Sequence, residues 1–358
     1  MSAVLDVGPT PDRPAGTPPA GGTSRRPRRG LVLGAGGVLG AAWTVGALRA
    51  LETTTGWDPG SVEVVVGTSA GSVLSAFLGL GVSTEQLANH QRGVVGVGDL
   101  SVHYDYDAQA PLPPRPALGH LGSPQLLRLA ARHPMRVRPL AAMTSLLPPG
   151  RGSIRAVGDL VQNVGDEALA LGLRAAGTTA WPQGPTPWIV AMDYDSGRRV
   201  VFGRDGSPEA ELADAVTASC SIPGWYEPVT INGRRYVDGG TCSPTSLDLL
   251  SRLGLDEVVV LAPMASFAYD RPKGAARIER SVRRATTRRL FREAAIVRAA
   301  GTRVSMLGPG PEDLQAIGVN LMDGRRRLRV FETSLRTSAA ALQGLPLGSP
   351  SSPTGGGR

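Results

Sequence analysis

Histidine is scarce in this chain of 358 residues and stops early: the four are His90, His103, His120 and His133. An enzyme that places its histidine after its nucleophile and its acid therefore has no imidazole to use in the last two thirds of this sequence. Cysteine is scarcer still. Cys220 and Cys242 cannot build a disulfide framework, which suits a reducing compartment and a cytoplasmic location. Aromatic residues make up 4%, and no zinc-ligand spacing or base-stacking motif occurs, which argues against a nucleic-acid partner. Lysine is limited to Lys273, so the net charge of +8 is carried almost wholly by arginine and favours contact with anionic surfaces, including the inner face of a membrane. The apolar stretch 73–82 is too short to span a bilayer.

What is present is a globular core with low-complexity ends. Hydrophobic residues reach 41%, an ample core for one large α/β domain or two smaller ones. Residues 1–29 and 344–358 are rich in Pro, Gly, Ser and Thr, and both are expected to be disordered because they bury too little to offset their ordering entropy. Arg25-Arg26-Pro27-Arg28-Arg29 before the uncharged run 31–48 imitates an export leader. Five glycines in that run (Gly34, Gly36, Gly37, Gly40 and Gly46) fit a strand, a glycine loop and a helix better. The expected organisation is a catalytic domain over 30–310, a helical insertion over 81–186 between the second and third core strands, and a C-terminal helical segment over 311–343. Within the insertion, helices are expected near 125–131, 140–147 and 154–164.

Beyond it, strands are expected at 188–192 and 199–202, a helix over 212–219, and a hairpin turning on Asn232-Gly233, a dipeptide suited to a type I′ turn. A helix over 246–253 and a buried strand at 258–261 follow. The segment 274–300 reads as a basic helix with Ile278, Val282, Ala285 and Ile296 near one face, either covering the domain or lying on an anionic membrane.

Two glycine motifs carry chemistry. Gly67-Thr68-Ser69-Ala70-Gly71 follows the valine-rich run 62–66 and precedes a helix-prone segment. Strand, Gly-x-Ser-x-Gly and helix in that order form a nucleophile elbow, which projects a serine hydroxyl from the top of a sheet. Earlier, the strand 31–33 runs into Gly34-Ala35-Gly36-Gly37-Val38-Leu39-Gly40. Bare backbone N–H groups in such a loop can converge on an oxyanion. A dinucleotide site is the alternative, but the spacing is not Gly-x-Gly-x-x-Gly and the next strand ends in Ser69 rather than in an acid. Ser69 needs a base. A histidine of the insertion could reach it; Asp238, at the head of Asp238-Gly239-Gly240 and directly after a strand, is the better candidate.

The glycine loop, the elbow and the late Asp-Gly-Gly together resemble the patatin-like phospholipase family over roughly residues 31–307. Ala218-Ser219, Ile222-Pro223 and Pro228-Val229 match the family's approach to its aspartate. Ala35 and Leu39 depart from the usual Gly-Gly-Gly-x-Arg/Lys-Gly loop, and Ser243-Pro244 stands where the family often has Asn. The resemblance implies a three-layer α/β/α sandwich and a Ser69–Asp238 dyad acting on lipid acyl esters without a metal or other cofactor. It further implies an oxyanion hole of Gly36, Gly37 and Ala70, supported by Gly34, Gly40, Gly67, Gly71, Gly239 and Gly240. Two rivals stay open: a non-catalytic member that binds membranes or protein partners, and a nucleotide-binding α/β protein.

Overall fold

The computed structural model describes residues 3–7, 25–94, 121–171, 181–182, 184–267, 274 and 276–343. The expected tail over 344–358, His103 and His120 lie outside them. Strand β1 (Ala3–Val7) is followed by β2 (Arg29–Leu33), α1 (Gly37–Thr55), β3 (Val64–Thr68), α2 (Ala70–Gly79) and α3 (Thr84–Arg92). The insertion then adds α4 (Pro124–Arg132), α5 (Pro139–Leu146) and α6 (Arg155–Ala170). Next come β4 (Thr186–Asp193), β5 (Arg199–Phe202), α7 (Leu212–Cys220), β6 (Val229–Ile231), β7 (Arg234–Asp238) and β8 (Glu257–Leu261). The chain closes with α8 (Ala276–Ala299), β9 (Arg303–Gly308), α9 (Pro311–Ile317) and α10 (Arg327–Leu342).

These strands form one nine-stranded mixed sheet, ordered β1-β9-β8-β2-β3-β4-β7-β6 with β5 also on β4. Its centre is parallel: β9, β8, β2, β3 and β4 all run the same way. Parallel strands with helices on both faces read as unbroken apolar runs, and Val64-Val65-Val66 and Val258-Val259-Val260 do so. Successive residues point to opposite layers. Leu31, Leu33, Val65 and Val259 pack beneath α1, α2, α7 and α10. Val32, Val64, Val66, Val258 and Val260 pack beneath α8 and the turn 247–252. The result is the α/β/α sandwich expected.

The register around β4 matters most for the site. β5 pairs with Ile189–Met192 along one edge of β4. The other edge is shared end to end: β3 pairs as far as Thr68 opposite Val190, and β7 takes over with Asp238 opposite Ala191. The last residue before Ser69 and Asp238 thus face consecutive residues of one strand, although 170 positions of sequence separate them.

Several expectations are corrected. Ala3–Val7 is not disordered but pairs antiparallel with β9. Ala-Val-Leu-Asp-Val carries enough β-forming apolar character to cover an otherwise open parallel edge. The other end of the supposed arm is also tied down, since Arg25 pairs with Asp256 and Arg28 with Glu63. Residues 247–252 form a 3₁₀ turn rather than an α-helix. Helix α8 packs through Thr286, Thr287, Leu290, Ala294 and Val297, and exposes Ile278, Val282 and Ile296. Its buried side also holds Arg283, which donates to the carbonyls of Pro263 and Ala265 and so fixes the turn after β8. The C-terminal residues are integral to one layer: α10 lies on α1, and Ser334 Oγ donates to Trp43 O at 2.6 Å.

Candidate active site

Ser69 ends the β3 turn and opens α2 with φ 54° and ψ −126°, one of three non-glycine residues at positive φ among those described. Such a conformation costs about 1–3 kcal/mol and persists only where its surroundings enforce it. Steric fit provides the enforcement. A Cβ on Gly71 would stand 2.0 Å from the carbonyl oxygen of Leu33, and one on Gly67 would stand 2.2 Å from Ser75 Oγ. Gly71 therefore lets α2 press against the end of β2, and Gly67 lets β3 run up against α2.

Further contacts hold the strained residue. Ser69 N–H donates to Ser219 Oγ at 2.9 Å, and that hydroxyl donates onward to Val190 O at 2.6 Å. Ser219 is fully buried at the end of α7, so the Ser69 backbone is tied to β4 through a side chain. Ser72 returns both its N–H and its hydroxyl to Ser69 O, at 2.7 and 2.6 Å.

Asp238 ends β7, 6% exposed, beside the Ser69 hydroxyl. Its N–H donates to Ser221 O at 2.8 Å, and Oδ1 accepts from Gly240 N–H at 2.7 Å. Burial pushes its carboxyl up from 3.8 to about 6, and the Ser69 hydroxyl and the Gly240 N–H hold it back from rising further. Gly239 has to be small, because a Cβ there would lie 2.3 Å from Val190 O. Among the described residues, no histidine stands among the hydrogen-bond partners of Ser69 or Asp238. His90 lines the neighbouring cavity, and His133 is exposed at the end of α4.

The glycine loop lies against both motifs. A Cβ on Gly71 would come 2.9 Å from Gly34 O, and one on Gly240 would come 3.5 Å from Ala35 Cβ. Gly34 N–H and Ala35 N–H are occupied by Leu261 O and Pro244 O, at 2.9 and 2.8 Å. Among the described residues Gly36, Gly37 and Val38 N–H have no backbone acceptor, so the first turn of α1 presents orphan donors, and Gly37, Val38 and Ala70 line the same cavity as Ser69. Gly37 adopts φ 61°, which turns the loop into the helix.

Leu39, where a basic residue is usual, is fully buried in the core. Its N–H donates to Leu321 O at 2.9 Å, and Met322 Sδ lies 3.0 Å from where a Gly37 Cβ would be. The loop is thus buttressed by the link between α9 and α10, a contribution for which the sequence held no local signal. Ser243, the residue in place of Asn, donates to Glu293 Oε1 at 2.6 Å. The buried Glu293 also accepts from Thr245 Oγ1 and Leu247 N–H, anchoring the chain just beyond Asp238-Gly239-Gly240 to α8.

A cavity of about 140 Å³ opens at Ser69. One side is a face of α2 from Ser69 through Val73, Leu74 and Phe77, nine residues spanning roughly 12 Å of helix. The opposite wall is Val157, Leu160 and Val164 of α6. Cys220 also lines it, its thiol pushed up by burial and therefore unreactive.

A model of the patatin-like phospholipase family matches residues 31–251, more than half of the chain. The chain belongs to the patatin-like phospholipase family. Membership places it among lipid hydrolases, and the matched region contains the loop, the elbow, the whole insertion and Asp238-Gly239-Gly240. Solved structures similar to it include VipD from Legionella pneumophila, at 15% identity and TM-score 0.42, covering 89% of this chain and 67% of that one. They also include the type III effector ExoU, at 18% identity and TM-score 0.31, with 89% and 62% covered. A third is the ExoU–SpcU complex of Pseudomonas aeruginosa, at 19% and 0.32, with 88% and 60% covered. The chain thus spans about three fifths of the length of the ExoU chains it matches. The α9–α10 link that carries Leu321 and Met322 lies beyond the family-matched residues.

Proposed function

We propose that the protein is a serine acyl hydrolase of lipid esters, of phospholipase A, lysophospholipase or esterase type, working through a Ser69–Asp238 dyad. The observation that carries the reading is the shared edge of β4, which sets the strained Ser69 beside a buried carboxylate at the mouth of an apolar cavity.

As Ser69 Oγ attacks the ester carbonyl, its proton passes to Asp238. The oxyanion that develops is met by the N–H groups of Gly36, Gly37 and Ala70. The tetrahedral intermediate collapses, Asp238 returns the proton to the departing alcohol oxygen, and the acyl group stays on Ser69. Water then attacks the acyl-serine, giving its proton to Asp238, and collapse releases the fatty acid while Ser69 recovers the proton. A carboxyl near 6 suits both roles, being ionised at neutral pH yet basic enough to take a proton transiently. The apolar trough along α2 is suited to the acyl chain, at about 0.8 kcal/mol for each methylene removed from water. Such a wall is ill-suited to a nucleotide phosphate.

The test is hydrolysis of p-nitrophenyl esters of short and long chain and of phospholipid vesicles by purified protein. An active-site serine probe should label the wild type and spare Ser69→Ala, and turnover should fall at least about 10²-fold in that variant. Retention of turnover in Ser69→Ala would sink the assignment.

A further inference from the structure

The insertion contains a helix whose polarity is inverted. Helix α5 buries Ala141, Thr144 and Ser145 and turns Leu140, Met143 and Leu146 outward, 55, 64 and 53% exposed. Leu147 continues the stripe and Met135, just before the helix, is 97% exposed. A helix meant to face water places its large apolar residues inward, so these residues call for a partner.

The charge around them specifies its kind. Residues 121–158 contain no Asp or Glu and six arginines, at 128, 132, 136, 138, 151 and 155. Arg132, Arg136 and Arg151 are exposed, and none of them forms an ion pair among the described residues. Helix α8, which is richer in arginine, is different: Arg280 and Arg283 pair with Glu279, and Arg289 pairs with Glu293.

The patch is also next to the site. Leu147 Cδ1 lies 3.4 Å from where a Cβ on Gly224 would stand, two residues after the cavity-lining Ile222. Arg138 donates to Cys242 O at 2.9 Å, four residues after Asp238.

We propose that the α4–α5 hairpin docks the protein on an anionic lipid bilayer, with Leu140, Met143 and Leu146 entering the headgroup boundary and the surrounding arginines on lipid phosphates. The orientation places the cavity mouth against the membrane, and that part rests on the hydrolase reading above. A second copy of this chain is a poorer occupant, because pairing the patch with itself would oppose six arginines to six. Among the described residues no helix is long and apolar enough to cross a membrane, so the contact is one of lying on the surface.

The experiment is flotation of the full chain carrying Ser69→Ala, which removes turnover from the readout, with vesicles of phosphatidylcholine alone or with phosphatidylglycerol. The protein should float with the anionic vesicles and far less with the neutral ones. Arg132→Ser/Arg136→Ser/Arg151→Ser should weaken the binding on the order of 100-fold, at about fivefold for each arginine. Leu140→Ser/Met143→Ser/Leu146→Ser should abolish it. In otherwise wild-type protein both triple variants should hydrolyse a water-soluble short-chain ester at the parent rate, which shows that they fold.

Absence of flotation on anionic vesicles, flotation unchanged in both triple variants, or loss only in Ile278→Ser/Val282→Ser on α8 would each overturn the proposal. So would a vesicle-free dimer that the α5 triple variant dissociates. Flotation as expected without any ester hydrolysis by the wild type would leave the docking surface standing and remove the hydrolase reading.

Discussion

Replacing Asp238 by Asn should stabilise the fold and abolish the chemistry, and the pH dependence of the first effect can be worked out from the structure. Burial holds the Asp238 carboxyl at about 6, against 3.8 in an exposed chain. That difference corresponds to about 3 kcal/mol of unfavourable ionisation in the folded state. The sign follows from proton binding: between 3.8 and about 6 the folded chain binds more protons than the unfolded one, so stability falls as pH rises through this interval. Below it the group is neutral in both states and nothing is lost; above it the full penalty applies. Asn has the same shape, cannot ionise, and retains an oxygen for the Gly240 N–H. Asp238→Asn should therefore exceed the wild type by up to about 3 kcal/mol at about pH 8 and match it near pH 4. Urea denaturation at the two pH values measures this. In parallel, wild-type kcat/KM should rise with pH along a limb whose midpoint lies near 6, because the carboxylate is the proposed base. Equal stability differences at both pH values, or ester turnover surviving in Asp238→Asn, would refute the reasoning.

Further outcomes follow from the same contacts. Ser69→Gly should be more stable than Ser69→Ala by about 1–3 kcal/mol in thermal or urea unfolding, since only glycine adopts φ 54° without strain. Ser219→Ala, which leaves Ser69 N–H and Val190 O without their partner, should cost about 1–3 kcal/mol of stability. As a positioning residue, Ser219 should affect kcat far more than KM, and Ser219→Thr should restore part of it. Val157→Phe, on the cavity wall facing α2, should lower kcat/KM for long-chain esters relative to short ones, by roughly fourfold for each methylene displaced.

Much of the fold was legible because its signals are local. Valine runs before the elbow and at 258–260, and Asn232-Gly233 with φ 48° and 75°, each act within a few residues. The candidate site was legible for a related reason. Gly67, Gly71 and Gly239 stand where another chain segment comes within 2.0–2.3 Å of a missing Cβ, so the close approach is written into residue type. The early end of the histidines directed attention from Ser69 to Asp238 in the same way. Illegible were the features that depend on which surface meets which. The outward turn of Ile278 and Val282 followed from the need of Glu293 and Arg283 to reach the loops after β7 and β8, a demand that periodicity along α8 does not record. Ala3–Val7 lies in an arm whose composition buries too little to order by itself, and it is β9 that supplies an edge.

The amino-acid order by itself therefore determined the elements, the elbow, the glycine loop and the choice of Ser69 and Asp238 as candidate nucleophile and partner, since steric necessity at a turn acts over a handful of atoms. Tertiary structure alone decided that β3 and β7 share one edge of β4, that Ser219 holds the Ser69 backbone, that Leu321 and Met322 support the loop beside Leu39, and that α5 turns its apolar side to solvent. The first three join residues many tens of positions apart, and pairing over such distances is set by the packing of the whole sheet rather than by any pattern along the chain.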